Sequence, residues 1–157
     1  MGSVVYLGFV THLCPTCMVV SFIAGNPNHC FLEVPGFGVF ESTRKNGNSG
    51  FSFSKEFSCK YCRNIFKIPI YVDNFDVNYL FDLVGKYKLN WYYIPLYSLP
   101  INWKAKRFAH CSEIIVDILR YYGKDIYNDE CSRRISPQSL AIWANKNKCG
   151  EIISVKK

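Results

Sequence analysis

Three side chains in this sequence have the types and spacing for nucleophilic chemistry on a carbonyl. Cys111 opens a stretch whose apolar residues recur at helical spacing, Ile114, Ile115, Ile118, Leu119 and Tyr122. A cysteine at a helix N-terminus faces unbonded backbone N–H groups and the positive end of the helix dipole. Both favour the thiolate, which is the nucleophilic form. The same amides can bind the oxyanion that forms when the thiolate attacks. A base is required, and the chain has three histidines, His12, His29 and His110. His110 adjoins Cys111, and adjacent side chains diverge, so it is a poor base. His29 begins a β-branched and aromatic run, and Glu41 lies on the next such run. Strand parity puts His29, Phe31 and Glu33 on one face and Val39, Glu41 and Thr43 on one face of the partner. Cross-strand neighbours are close enough for a carboxylate to hold an imidazole. Nucleophile, base and orienting acid then follow as Cys111, His29 and Glu41, the logic of a cysteine triad.

The elements that must position these groups can be read in outline. Val4–Val10 is an expected strand. Cys30–Val34 and Gly38–Thr43 are expected to form a hairpin across Pro35-Gly36-Phe37. Arg44–Ser54, rich in Gly, Asn and Ser, reads as a loop, and Asn64–Val72 as a strand in which Pro69 suggests an edge or a bulge. Asn74–Lys88 changes to helical period, with Asn74 as the expected N-cap. Leu89–Trp103 is aromatic and punctuated by proline, and reads as irregular. Cys111–Tyr122 is the clearest helix, stopping at Gly123. Ser136-Pro137 is an N-cap followed by proline at the first helical position, opening a helix to about Asn145. Glu151–Val155 reads as a closing strand. Strands first and helices later suit an α+β domain, a small antiparallel sheet packed against helices. The 157 residues are expected to form one domain, 1–157.

Composition bounds the rest. Apolar residues make up 49% and charged residues 20%, enough for a packed core and against wholesale disorder. Residues 1–40 carry one charged side chain, Glu33. That stretch is interrupted by His12, Pro15 and Asn26-Pro27-Asn28, so it reads as buried strands and not as a membrane anchor. No basic segment precedes it as a signal peptide would require. The position where a myristoylation site wants Ser or Thr holds Tyr6. With free cysteines and no signal sequence, a cytoplasmic location is expected, peripheral membrane association included. Eight cysteines are too few for a disulfide scaffold in a chain this long. Four of them form two knuckles, Cys14-Pro-Thr-Cys17 and Cys59-Lys-Tyr-Cys62, which could close a tetrahedral structural zinc site. Four thiolates leave no open position, so such a metal would be a staple, and catalysis would need no cofactor. The alternatives are reduced thiols in two loops, or two disulfides in an oxidising setting. Cys30 reads as a core residue, and Cys131 and Cys149 as unpaired.

Three stretches resemble the circularly permuted NlpC/P60, or papain-like, superfamily. Asn28-His29-Cys30-Phe31-Leu32 resembles its histidine strand. Val39-Phe40-Glu41-Ser42-Thr43-Arg44-Lys45 resembles its Val-x-Glu-Ser/Ala-Thr strand and is particularly similar to poxviral members. Cys111-Ser112-Glu113-Ile114-Ile115 resembles the Cys-Ser-Glu-Leu-Val helix start of the bacterial YiiX-like branch. Ser136-Pro137-Gln138-Ser139-Leu140-Ala141 is similar to a terminal segment of the same branch. The related lecithin:retinol acyltransferase-like branch typically has Asn before the cysteine and a second histidine at the place of Glu41. The resemblance implies a permuted papain-like fold, Cys111 as nucleophile, His29 as base and Glu41 as third residue. It implies a thiol hydrolase or acyltransferase that passes through a thioester on an amide or ester substrate: a peptide, a lipid or an acylated side chain. Tyr93 or Tyr97 would assist the oxyanion by loose analogy. A pseudoenzyme of the same fold is a third alternative, behind a binding module of another class.

A reading from a different class starts from charge. The net charge is +7, with 19 Lys and Arg against 12 acids. Basic spots at Lys104-Ala-Lys106-Arg107 and Arg133-Arg134, zinc knuckles and aromatics could describe a module binding nucleic acid or an anionic membrane. The basic runs are short, which makes nucleic acid the weaker partner. A basic rim around an acyl pocket suits anionic lipid headgroups equally well. Oligomeric state is not encoded in any of these features.

Overall fold

The computed structural model describes residues 2–13, 18, 21–22, 25–45, 48–57, 62–89 and 108–155. The protein is α+β. Six antiparallel strands form one sheet in the order β4-β3-β2-β1-β5-β8. These are β1 (Ser3–His12), β2 (His29–Val34), β3 (Gly38–Lys45), β4 (Asn48–Ser54), β5 (Cys62–Val72) and β8 (Ile153–Val155). Among the described residues three complete helices accompany them: α1 (Val77–Leu83), α2 (Cys111–Tyr121) and α3 (Pro137–Lys146). Lys88–Leu89 (β6) and Phe108–Ala109 (β7) pair in parallel apart from the main sheet.

The expected hairpin forms, with Leu32 paired to Phe40 and Glu33 to Val39. The Gly/Asn/Ser-rich stretch read as a loop is instead largely β4, paired along its length with β3. Phe51 and Phe53 alternate with serines there, and the phenylalanines turn toward the core while stacking near Phe40. That period of two overrides the turn-forming composition. The helix expected over Asn74–Lys88 is shorter. Asn74 adopts a left-handed φ of 51°, tolerable for Asn, and caps nothing. Asp76 is the N-cap, accepting a hydrogen bond from the Asn78 N–H at 2.9 Å. Pro69 sits at neither a bulge nor a fully paired position. It pairs with Tyr6 on one side and lies beyond the short β8 contact on the other. The register shift in β5 falls nearer Arg63–Phe66, where Asn64 takes a φ of 51°. Most of Leu89–Trp103 lies outside the described residues.

The core sits between the sheet and α2. Val5, Leu7, Leu32, Phe40, Ile68 and Ile70 face Ile115, Ile118 and Leu119 in one buried cluster. Each such side chain contributes about 1.5–3 kcal/mol by leaving water. Ala144 and Leu140 of α3 join it, and the Ser136 side chain caps α3 through the Ser139 N–H at 3.1 Å. A smaller cluster of Val10, Phe31, Val39 and Ile65 lies on the other side of the sheet, with Phe57 and Cys62 against it. No helix among the described residues is long and apolar enough to cross a membrane.

Candidate functional site

Cys111 is the first residue of α2, and the helix starts there because His110 and Glu113 form a capping box. The His110 Nδ1 accepts from the Glu113 N–H at 3.1 Å, and the Glu113 carboxylate accepts from the His110 N–H at 3.4 Å. With Nδ1 accepting, Nε2 carries the proton and donates to the Arg133 carbonyl at 3.0 Å. Both ring nitrogens are thereby committed to structure, which is why His110 cannot serve as base. Ser112 is fully buried and donates to the Ile135 carbonyl at 2.7 Å. Arg133 Nε donates to Glu113 at 2.7 Å. The Ser-Glu pair after the cysteine thus locks the helix start against the segment leading into α3.

His29 is the first residue of β2, paired with Val10 of β1. The residue before it, Asn28, is buried and grips the end of β1. Its Oδ1 accepts from the His12 N–H at 2.8 Å, and its Nδ2 donates to the His12 carbonyl at 3.0 Å. Phe31 lies flat over Gly8, where an added Cβ would stand 2.0 Å from the ring. Phe57 stacks on Phe31 at 4.6 Å between centroids and faces the His29 ring at 6.0 Å. The imidazole is therefore held by an aromatic wall fixed by one glycine.

The structure brings His29, Glu41 and Cys111 together. The His29 Nε2 lies 3.9 Å from the Glu41 Oε2, an ion pair slightly longer than a hydrogen bond. Continuing the hairpin register sets Glu41 beside Phe31, diagonal to His29, and the long side chain spans that offset. The Ser54 hydroxyl of β4 donates to the other Glu41 oxygen at 3.3 Å. Cys111 lies near enough to His29 for the charge of each to shift the other's titration.

The electrostatics follow from these contacts. The Cys111 thiol is held well below its ordinary range, first by a hydrogen bond from the Cys30 thiol. Burial opposes this, and the charge of the nearby His29 adds to it. Burial alone would depress His29. The Cys111 charge and hydrogen bond, then Glu41, outweigh burial and hold it up at about 9. The thiol is pushed down and the imidazole up, so both shifts favour a thiolate beside an imidazolium. Burial and the Cys111 charge keep the Cys30 thiol protonated, well above its usual range.

Two neighbours were not legible as site residues in the sequence. Cys30 is 1% exposed, as expected of a core residue, yet it and Cys111 are near enough to shift one another's titration. Adjacent strand residues point to opposite faces, so a sulfur that meets both His29 and Cys30 sits at the end of β2, where the strand begins. His12 continues β1 past Val10, and its ring meets the His29 ring edge-on at 5.1 Å. Burial, then the charge of His29, drives His12 down to about 4, against a smaller opposing pull from Cys111, so it is a neutral imidazole. A polar residue at the last position of a strand paired with the His29 strand was the only available hint.

Of the zinc candidates, Cys14, Cys17 and Cys59 lie outside the described residues. So do Tyr93 and Tyr97. Cys62 opens β5 opposite His12, with its sulfur 3.6 Å from the His12 Nδ1. Among the described residues no group of three or more ligating side chains gathers for a metal. No family model matches this chain, and neither does any characterised protein or solved structure.

Proposed function

We propose that this chain is a thiol-dependent acyl hydrolase or acyltransferase with Cys111 as nucleophile, His29 as acid and base, and Glu41 as the group that orients His29. One observation carries the reading: Cys111 opens a buried helix and lies near enough to His29 for their charges to shift one another, while His29 faces the Glu41 carboxylate at 3.9 Å. The order along the chain, histidine strand, acid strand, cysteine helix, supports a permuted papain-like arrangement.

The Cys111 thiolate attacks the carbonyl carbon of an amide or ester. The carbonyl oxygen becomes an oxyanion beside the Cys111 N–H, which as a first-turn donor has no partner within the helix. The intermediate collapses as the His29 imidazolium passes its proton to the leaving amine or alcohol, and a thioester remains. Neutral His29 then takes a proton from water or from an acceptor nucleophile, which attacks the thioester and releases the thiolate. Glu41 steadies the charged ring at each step and accepts no proton. The substrate class is an acyl donor: a peptide amide, a lipid ester or an acylated side chain. Water as acceptor gives hydrolysis, and an amine or alcohol gives transfer.

The reaction needs a reduced Cys111, so a reducing compartment such as the cytoplasm belongs to the proposal, with a basic surface suited to anionic membrane headgroups. A structural zinc on Cys14, Cys17, Cys59 and Cys62 belongs to it as well. Its support is that β1 ends and β5 begins as paired neighbours at His12 and Cys62. Metal content after dialysis is the check, and a value well below one zinc per chain removes the metal.

The function is tested by trapping the acyl-enzyme. The protein is incubated with an activated acyl ester or a fluorophosphonate lipid, and the adduct is mapped by mass spectrometry. The expected adduct is on Cys111, lost in Cys111→Ala and strongly slowed in His29→Ala. Labelling spread evenly over the cysteines, or indifferent to His29→Ala, overturns the reading.

A further inference from the structure

The face of the sheet that carries His29 and Glu41 also holds a concavity that the mechanism above does not use. On β2, His29, Phe31 and Glu33 alternate onto one face, and on β3 Val39 and Glu41 share it. Val39 stands two residues from Glu41, about 7 Å at the rise of a strand. Beside Val39 lies a pocket of about 250 Å³. Val39, Phe57, Ile65 and Val155 give it an apolar lining. Phe57 is the wall it shares with the site, since its ring stacks on Phe31 at 4.6 Å and faces the His29 ring at 6.0 Å. Glu33, Lys55, Glu56 and Lys67 complete the lining. The two acids offset the two bases, and Glu33 and Lys67 already form an ion pair.

We propose that this pocket binds the uncharged hydrocarbon tail of the acyl group whose carbonyl reacts at Cys111. The inference rests on the catalytic role proposed above and adds the chemical class of the acyl donor, a straight chain of medium length. The balanced charges give an ionic tail no net attraction, and such a tail would lose its hydration against the apolar lining. A hydrocarbon tail leaves the Glu33–Lys67 pair intact and gains with every methylene it buries. The volume sets the length. It falls below the roughly 300–1,000 Å³ of sites for drug-sized ligands, so it takes a single chain. At roughly 30 Å³ per water-sized group it holds about eight of them. A tail attached to a carbonyl at Cys111 and His29 runs past Phe57 to enter it. Val155, partly buried at the end of the short strand β8, stands in the lining and outside the catalytic set, so its size limits the chain that fits.

The test is acylation of the full chain by p-nitrophenyl esters from acetyl to decanoyl, below their micelle concentrations, with the Cys111→Ala rate subtracted. The thiolate bonds to the carbonyl carbon, the ester C–O bond breaks, and the p-nitrophenolate that leaves is the readout. The expected rate constant rises by up to about 4-fold per added methylene, equivalent to about 0.8 kcal/mol, and levels off near eight carbons. Val155→Trp, or Val155→Phe if the tryptophan variant fails to fold, should slow octanoyl transfer about 10-fold or more and leave acetyl transfer unchanged. A flat profile, or an octanoyl advantage untouched by the Val155 variant, overturns the proposal. Octanoylglycerol and an O-octanoylserine peptide, each beside its acetyl counterpart, separate a lipid source from an acylated side chain. A gain from the longer chain in either supports the pocket, and a gain in neither overturns it. Binding is read without turnover as methyl NMR shifts of Val39, Ile65 and Val155 on adding octanamide. Those shifts with no acyl adduct on Cys111 refute the catalytic reading alone. An acetyl adduct on Cys111 with no octanamide shifts refutes the pocket alone.

Discussion

The thiolate–imidazolium pair makes a quantitative prediction about how Cys111 reacts as pH falls. An ordinary thiol with a pKa near 8.5 is about half thiolate at pH 8.5 and roughly 0.3% thiolate at pH 6, so its alkylation slows about 150-fold. Cys111 is held well below its ordinary value by the Cys30 hydrogen bond and by His29. A thiolate whose folded pKa is depressed persists as pH falls and is lost only on passing through that lowered value. Between pH 8.5 and pH 6 the alkylation rate of Cys111 should therefore fall by much less than the free thiol's drop of about 150-fold. Its absolute rate will be modest, because nucleophilicity declines with pKa, so the slope and not the height is diagnostic. The assay is the initial rate of iodoacetamide addition at Cys111, read by peptide mass spectrometry beside a small free thiol in the same tube. His29→Ala removes an opposite charge worth about 1–3 pKa units and should steepen the profile. A wild-type Cys111 that slows in parallel with the free thiol refutes the ion-pair argument and, with it, the electrostatic account of the site.

Other perturbations separate site from scaffold. Glu41→Gln should lower His29 from about 9, since the Glu41 charge raises it, and histidine NMR titration reads the change directly. Turnover in that variant should fall about 10-fold or more at pH 8, where less of His29 stays protonated, and an unmoved His29 titration contradicts the orienting role. His110→Ala removes a helix cap and should cost about 0.5–2 kcal/mol, a Tm drop of several degrees, while Cys111 still alkylates at pH 8.5. Loss of Cys111 reactivity at unchanged Tm would make His110 a site residue instead. Ile118→Ala empties a fully buried position on α2 and should cost about 2–5 kcal/mol by denaturant titration, and a cost below 1 kcal/mol would mean the core is not packed as described.

Several features were legible because their causes are local. Ser136-Pro137 and the apolar stripe after Cys111 each carry their own capping or periodic signal, and α3 and α2 start where those signals put them. The hairpin between β2 and β3 follows from Pro35-Gly36-Phe37 between two β-forming runs. The stretch now seen as β4 was misread because Gly, Asn and Ser counted as turn formers, while the alternation of Phe51 and Phe53 carried the strand. Asn74 lost the cap to Asp76 because a left-handed backbone cannot begin a helix.

At the site, residue type and strand parity were enough to nominate Cys111, His29 and Glu41, because a histidine and a carboxylate on one face of a hairpin are neighbours wherever the hairpin goes. What parity could not say is what stands at the end of the strand. The contact of Cys30 with Cys111, the edge of His12 on His29 and the aromatic wall of Phe31 and Phe57 arise from where α2 docks on β2 and from the pairing of β1 with β2. Those contacts join residues far apart in the chain, and their free energy depends on burial, which no local stretch of sequence contains. The sequence by itself determined which groups could do the chemistry; the tertiary structure decided that the thiol is buried near a second thiol and the His29 imidazole, neighbours that favour its ionised form.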